Sequence, residues 1–268
     1  MPDEFTHIVM YSGGIGSWAA ARRVIEKHGA DNVKLLFTDT RIEDQDLYRF
    51  LRESAASLGA ELIEIADGRT PWELFFSIGY MGNTRADPCS KVLKRDIADR
   101  WLKEHYTPEN CIVYVGIDWS EQHRFLGNDK GKAGLQKRKL PWKYEAPLIE
   151  APYLTKEDII EALEQSGIAP PRLYKMGFPH NNCGGFCIKT GHAQFELLYR
   201  AFPDRFKHHE KMEQRFREMK GRDLAILRDR RGGVTKPFPL SKLRERIEKQ
   251  PDLIDKFDFG GCGCFIDD

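Results

Sequence analysis

Six residues near the start of the chain, Ser12-Gly13-Gly14-Ile15-Gly16-Ser17, combine three glycines with two hydroxyls. Glycine lets the main chain approach an anion with no Cβ in the way, and a serine hydroxyl can donate to a phosphate oxygen. The run lies between a short apolar segment and a stretch of helix formers. Its backbone N–H groups and a helix dipole therefore converge on one point, which makes an anion site. An ordinary tight turn between strand and helix is the alternative. No Lys follows the glycines, which argues against the Walker pattern G-x-x-x-x-G-K-S/T.

The six cysteines are the second reactive set. Cys183 and Cys187 form a C-x3-C, Cys262 and Cys264 form a C-x-C, and glycines flank both pairs. Close pairs bring two thiolates to one ion with little loop-closure cost. Four such sulfurs suit tetrahedral zinc or a [4Fe-4S] cluster, and spacing does not separate the two. In the alternative, Cys183 and Cys187 are small core residues and the C-terminal pair is a reactive tail. A disulfide framework suits short secreted chains instead. Cys111, inside an apolar run, reads as core. His180, near Cys183, reads as an exposed loop histidine, with metal ligation as the alternative. His192, His208 and His209 show no metal spacing. Trp72, Phe75 and Phe76 fall at helical intervals and read as core.

The elements that must position these groups alternate. Residues 6–11, 33–37, 61–65 and 111–116 read as buried strands, and residues 18–28, 44–58 and 90–105 as helices. Such alternation implies parallel βαβ units, hence an α/β doubly wound parallel sheet. Residues 1–150 are expected to form this nucleotide-binding domain. Residues 151–268 are expected to form a Cys-containing, mostly helical extension that closes the site, with Thr155 capping a helix to residue 166. The Lys- and Gly-rich stretch 127–143 reads as a mobile loop.

The chain has 268 residues, 41% hydrophobic and 31% charged, which suits a soluble globular protein and excludes disorder as the default. No run approaches the ~18 apolar residues of a membrane span, and the first residues have neither the basic nor the apolar part of a signal peptide. A cytoplasmic protein with no membrane partner is expected. Net charge is only +1, yet residues 200–250 hold 16 Lys/Arg against 8 Asp/Glu. A second basic run comprises Lys130, Lys132, Lys137, Arg138, Lys139 and Lys143. Such patches either follow a phosphate backbone or are solvated helix faces.

The segment 12–17 resembles the SGGxDS signature of the PP-loop ATP pyrophosphatases, the adenine nucleotide alpha hydrolase superfamily with its HUP-like fold. From about residue 8 to 190 the chain resembles the branch containing phosphoadenylylsulfate (PAPS) reductases and DNA-phosphorothioation sulfurtransferases. The segments that carry the resemblance are Phe37-Thr38-Asp39-Thr40, Pro88-Cys89-Ser90-Lys91-Val92-Leu93-Lys94, the stretch from Gly116 to Arg124, and the tract from Pro147 through Tyr174 to Cys183 and Cys187. Gly16 stands where the family often has Asp, and the E-C-G-L-H ending of the PAPS reductases is missing.

The resemblance implies ATP or PAPS as ligand, with Mg2+ assisting. It puts Ser12, Gly13, Gly14, Gly16 and Ser17 on phosphate, the main chain of Phe37 and Thr38 on the adenine edge, and Gly116 beside the nucleotide. Asp39 would orient metal or substrate, and Lys91 and Arg124 would contact phosphate or product oxygen. Cys89 would carry a persulfide or join Cys183, Cys187, Cys262 and Cys264 as a metal ligand, with an iron–sulfur cluster implied ahead of Zn2+. The implied chemistry is adenylation of an acceptor followed by sulfur transfer, with DNA or tRNA as acceptor and a sulfur donor protein as partner. A PAPS or adenylylsulfate reductase, and a non-catalytic nucleotide-binding regulator with structural zinc, are the alternatives.

Overall fold

Val9 and Tyr11 point to one side of their strand while Ile8 and Met10 point to the other, and all four are buried. A strand sealed on both faces belongs inside a parallel sheet covered by helices. The computed structural model describes residues 5–82, 86–128 and 131–260. In it β1 (Thr6–Met10), β2 (Val33–Asp39), β3 (Glu61–Ala66), β4 (Cys111–Tyr114) and β5 (Lys143–Glu145) form one sheet in the order β3-β2-β1-β4-β5, with every pairing parallel. His7 pairs with Val33 on one side and Ile112 on the other.

Helices cover both faces, so the doubly wound α/β architecture stands. α1 (Ile15–His28), α2 (Gln45–Leu58) and a later helix at Lys156–Gln165 bury Trp18, Ala20, Leu47, Phe50, Ile159 and Leu163 against one face. The opposite face is covered by Ala98 and Leu102, with Phe125 and Leu135 from two short helical turns. Helix starts follow local chemistry. Asp44 caps α2 by accepting from Asp46 N at 3.0 Å, and Thr70 with Glu73 forms a capping box on α3 (Pro71–Ile78).

Residues 90–105 are helical but not uniformly so. A six-residue π-helical stretch, Lys91–Asp96, precedes α4 (Ile97–His105). The wider turn leaves Lys91 exposed and ion-paired to Asp96, and turns Lys94 inward, where it is 3% exposed and 3.4 Å from the buried Glu43. The described parts of the stretch 127–143 carry local structure. Gly127 bridges to Ala133, residues 135–138 form a helical turn, and a Cβ on Gly134 would meet Phe125 O at 2.1 Å. Residues 129 and 130, with Lys130, lie outside the described residues.

The C-terminal half is mostly helical: α5 (Lys156–Gln165), α6 (His192–Ala201), α7 (Pro203–Lys220) and α8 (Leu240–Lys249), with a small antiparallel hairpin of β6 (Leu227–Asp229) and β7 (Lys236–Phe238). Its core is aromatic, and Trp72 and Phe75 of α3 join Phe186, Phe195, Phe206 and Phe216 within it. Trp72 donates its indole N–H to His209 Nδ1 at 2.9 Å, and His209 stacks on Phe186. Core membership thus crosses residue 150 in both directions, because α5 packs on α1 while α3 packs on the C-terminal helices. The fully buried carboxylate of Asp44 adds a polar clasp, accepting from Arg172 at 2.8 Å and from Arg205 at 2.9 Å. Among the described residues no helix is long and apolar enough to cross a membrane.

Candidate functional site

Strand order reverses between β1 and β4, since the chain leaves β1 toward β2 on one side and returns as β4 on the other. The loops after these two strands must diverge, and they open a crevice outside the carboxyl ends of the sheet. In this protein they are residues 11–14 and 115–118. A cavity of about 440 Å3 lies there, with Ser12, Gly14, Gly16, Ser17, Gly116 and Arg124 all in its wall.

The glycines have separate reasons to be glycine. Gly13 has φ +75°, and a Cβ on it would meet Leu47 at 2.8 Å. Gly116 has no unusual φ, but a Cβ there would lie 2.8 Å from Ser17 N and 2.9 Å from Gly16 C and O. It holds the two loops in backbone contact. Gly14 is the N-cap of α1, with no side-chain cap and no acidic residue in the first turn. The first-turn N–H groups thus face the cavity without a built-in anion to satisfy them. Ser17 Oγ donates to Gly14 O at 2.8 Å, and Ser12 Oγ lies 3.4 Å from Ser17 Oγ, so the hydroxyls pin the loop as well as face the cavity.

The opposite wall comes from the C-terminal half: Lys156 at the start of α5, Tyr174, Pro179, His180 and Asn182. Asn181 Nδ2 donates to Gly13 O at 3.0 Å and locks this wall to the loop. His180 corrects the sequence reading, for it is not an exposed loop histidine. Both ring nitrogens are buried and neither has a hydrogen-bond partner among the described residues, and Asn181 Oδ1 is in the same state. Burial, then the Lys94 and Lys156 ammonium groups, push the His180 pKa down to about 4. Unsatisfied buried polar groups in a cavity wall mark a place where a polar ligand replaces water.

Several residues singled out in sequence stand elsewhere. Phe37 is core, Thr38 is buried beside it, and Asp39 Oδ1 at the end of β2 accepts from Tyr48 OH and Arg41 N, each at 2.8 Å. None of the three is in the cavity wall. Lys91 is outside it as well, in its ion pair with Asp96. Arg124 is in the wall and bonds Glu121 at 2.6 Å. Asp118, also in the wall, accepts from Ser120 N and Oγ. His180 was singled out only as an exposed loop residue or a metal ligand, and Lys94 only as the last residue of the Pro88–Lys94 segment. Lys156, Tyr174 and Asp118 lay inside segments that carried a sequence signal.

The cysteines are divided. Cys89 is half-buried against the aromatic core, Cys111 is fully buried in β4 with its thiol pushed up to about 12 by burial, and Cys183 is buried. Among the described residues Cys89, Cys111, Cys183 and Cys187 form no disulfide. Cys183 sits at φ +54° and donates its backbone N–H to Glu43, and Gly184 and Gly185 continue the left-handed run. Packing accounts for those glycines: a Cβ would meet Ile42 O at 2.7 Å from Gly184 and the Phe178 ring at 2.7 Å from Gly185. Among the described residues no three His, Cys, Asp or Glu side chains form a metal-binding group, so Cys89, Cys183 and Cys187 do not make one by themselves. Cys262 and Cys264 lie outside the described residues.

No protein-family model matches the chain, and no curated protein matches it. Among solved structures it is similar to a phosphoadenylyl-sulfate (PAPS) reductase from Candida auris, in its phosphate complex, at 15% identity and a TM-score of 0.42, over 64% of this chain and 78% of that one.

Proposed function

We propose that the chain is an adenine-nucleotide-dependent enzyme of the PP-loop class that adenylates an acceptor for sulfur transfer to nucleic acid. One observation carries the nucleotide reading. An uncapped helix N-terminus and its glycine loop open at the sheet's switch point into a cavity whose far wall presents unsatisfied polar groups. A polyphosphate satisfies both walls at once, with first-turn N–H groups on one side and Lys156, Arg124 and neutral His180 on the other.

In this reading the acceptor oxygen attacks the α-phosphorus, the bond to the β-phosphate oxygen breaks, and pyrophosphate leaves. A hydrosulfide-level donor then displaces AMP from the activated carbon or phosphorus. The chain's own part is to hold the reactants in line and to neutralise phosphate charge. Mg2+ fits the wall through Asp118 and Glu121, since the ion takes one or two carboxylates and fills its octahedron from phosphate and water. When bound it supplies further charge neutralisation.

A Cys-ligated cluster needs Cys262 and Cys264 as well as Cys183 and Cys187. One feature supports their convergence. Gly260 bridges to Thr190, three residues beyond Cys187, and Gly191 N donates to Phe259 O at 3.0 Å. Cys262 and Cys264 follow that anchor in the sequence and lie outside the described residues. The test of the whole proposal is incubation with α-labelled ATP, Mg2+ and a tRNA or DNA pool. Acceptor-dependent AMP and pyrophosphate support it. Sulfite release from PAPS with no ATP cleavage replaces it with a reductase.

A further inference from the structure

Lys189, the β6–β7 hairpin and α8 enclose a second crevice, of about 680 Å3, which shares Gly260 with the nucleotide cavity. Five cations line it, Lys189, Arg228, Arg230, Arg231 and Arg246, against three carboxylates. Those carboxylates are already engaged. Asp229 takes both Arg231 and Arg246 at 2.8 Å, and these guanidiniums hold its carboxyl well below the usual range. Asp258 accepts His192 N at 3.0 Å, and Asp255 accepts Phe257 N at 2.9 Å.

Among the described residues neither Arg228 nor Arg230 has an ion pair. Arg228 Nη1 is buried without a hydrogen-bond partner among the described residues, although the Arg228 carbonyl is fixed by His192 Nε2 at 3.0 Å. Arg230 is exposed and has no ion pair among the described residues. Arg246 sits over the Phe238 ring, its guanidinium carbon 3.9 Å from the centroid, and is further held by its bond to Asp229. A guanidinium fork held rigid beside a sealed, unpaired one is suited to phosphate, which it meets with two parallel hydrogen bonds.

We propose that this crevice is a second phosphate site, which seats a backbone phosphodiester of a nucleic acid acceptor beside the nucleotide cavity. The purpose of the site rests on the nucleotide reading above, but its binding does not. The two cavities meet at Gly260, so a strand held by the arginines lies next to the Gly14–Ser17 loop.

The test uses the full chain and a labelled single-stranded 20-mer, with binding followed by fluorescence anisotropy across a salt series. Removing one phosphate contact lowers the log–log salt slope by roughly 0.7 to 0.9. Arg230→Ala, an exposed change that leaves the fold intact, is expected to lower the slope by that amount, and Arg230→Lys to keep it. Arg228→Ala adds a similar loss, with its ATP-induced thermal shift as the check of folding. Arg231→Ala is less informative because it also strips a partner from Asp229. Slopes equal to wild type in Arg230→Ala and Arg228→Ala overturn the proposal, and so does displacement of the 20-mer by equimolar inorganic phosphate. Intact polymer binding with no response to ATP keeps the crevice and removes the nucleotide reading instead.

Discussion

Gly116→Ala isolates the contact between the two loops that make the cavity proposed to hold the nucleotide. The residue has no unusual φ, so the substitution acts only through its added methyl group. That methyl would lie 2.8 Å from Ser17 N and 2.9 Å from Gly16 C and O, where ordinary contact begins at 3.4 Å. The loops must therefore part by about half an ångström, and every obstructing atom is backbone, which has no rotamer to yield. A shift of that size stretches a ~2.9 Å hydrogen bond from a loop N–H to phosphate to about 3.4 Å, past the useful range. Losing even one charge-assisted bond at roughly 1.5 kcal/mol raises the dissociation constant for ATP about tenfold. Overpacking itself costs about 1–3 kcal/mol of stability. Calorimetric titration with ATP, paired with a thermal melt, separates the two effects. A folded Gly116→Ala protein that binds ATP as tightly as wild type would refute the reasoning.

Three other outcomes follow from the geometry. Burial pushes Glu213 up to about 7 even though Ile226 and Leu240 backbone N–H groups donate to it. The fold thus favours the protonated form, and its stabilisation is fully present below the ordinary pKa of 4.5 and lost as pH rises through about 7. The loss is on the order of 3 kcal/mol, so melting should fall from pH 5 to 8 in wild type and stay flat in Glu213→Gln. Asp44→Asn leaves Arg172 and Arg205 without their shared carboxylate and should cost about 2–4 kcal/mol, with faster hydrogen exchange at residues 172–185 than elsewhere. Replacing Cys262 and Cys264 with Ser should abolish bound iron or zinc in protein purified without oxygen, and unchanged metal content would show that the C-x-C is not part of a site.

The inner strands were legible because strands sealed on both faces are runs of apolar residues, as in 111–116, and helix-forming stretches follow β1 and β2. The loop 12–17 was legible for a similar reason, since its chemistry lies in six consecutive residues. β5 was not, because three residues of Lys-Tyr-Glu have no apolar period and become a strand only by pairing with β4. Lys91 and Lys94 show where local reading fails. A regular helix leaves them almost on one face, and the π-helical stretch that separates them is set by tertiary packing. His180 was read as exposed because its burial follows from the fit of the 179–182 segment over the glycine loop, and its depressed pKa from that burial and from Lys94 and Lys156, none of which local sequence shows.

The central claim is that the cavity between Gly14 and His180 holds an adenine nucleotide, and thermal denaturation with ATP, GTP and PAPS, in wild type and Gly14→Asp, tests it most directly. At ~100 times its dissociation constant a ligand specific to the native state adds about 2.7 kcal/mol, or several degrees for a protein of this size. The account predicts that shift with ATP or PAPS, a smaller one with GTP, and none in Gly14→Asp, whose carboxylate takes the anion's place at the head of α1. No adenine-dependent shift in wild type, or an equal shift in the variant, would contradict it.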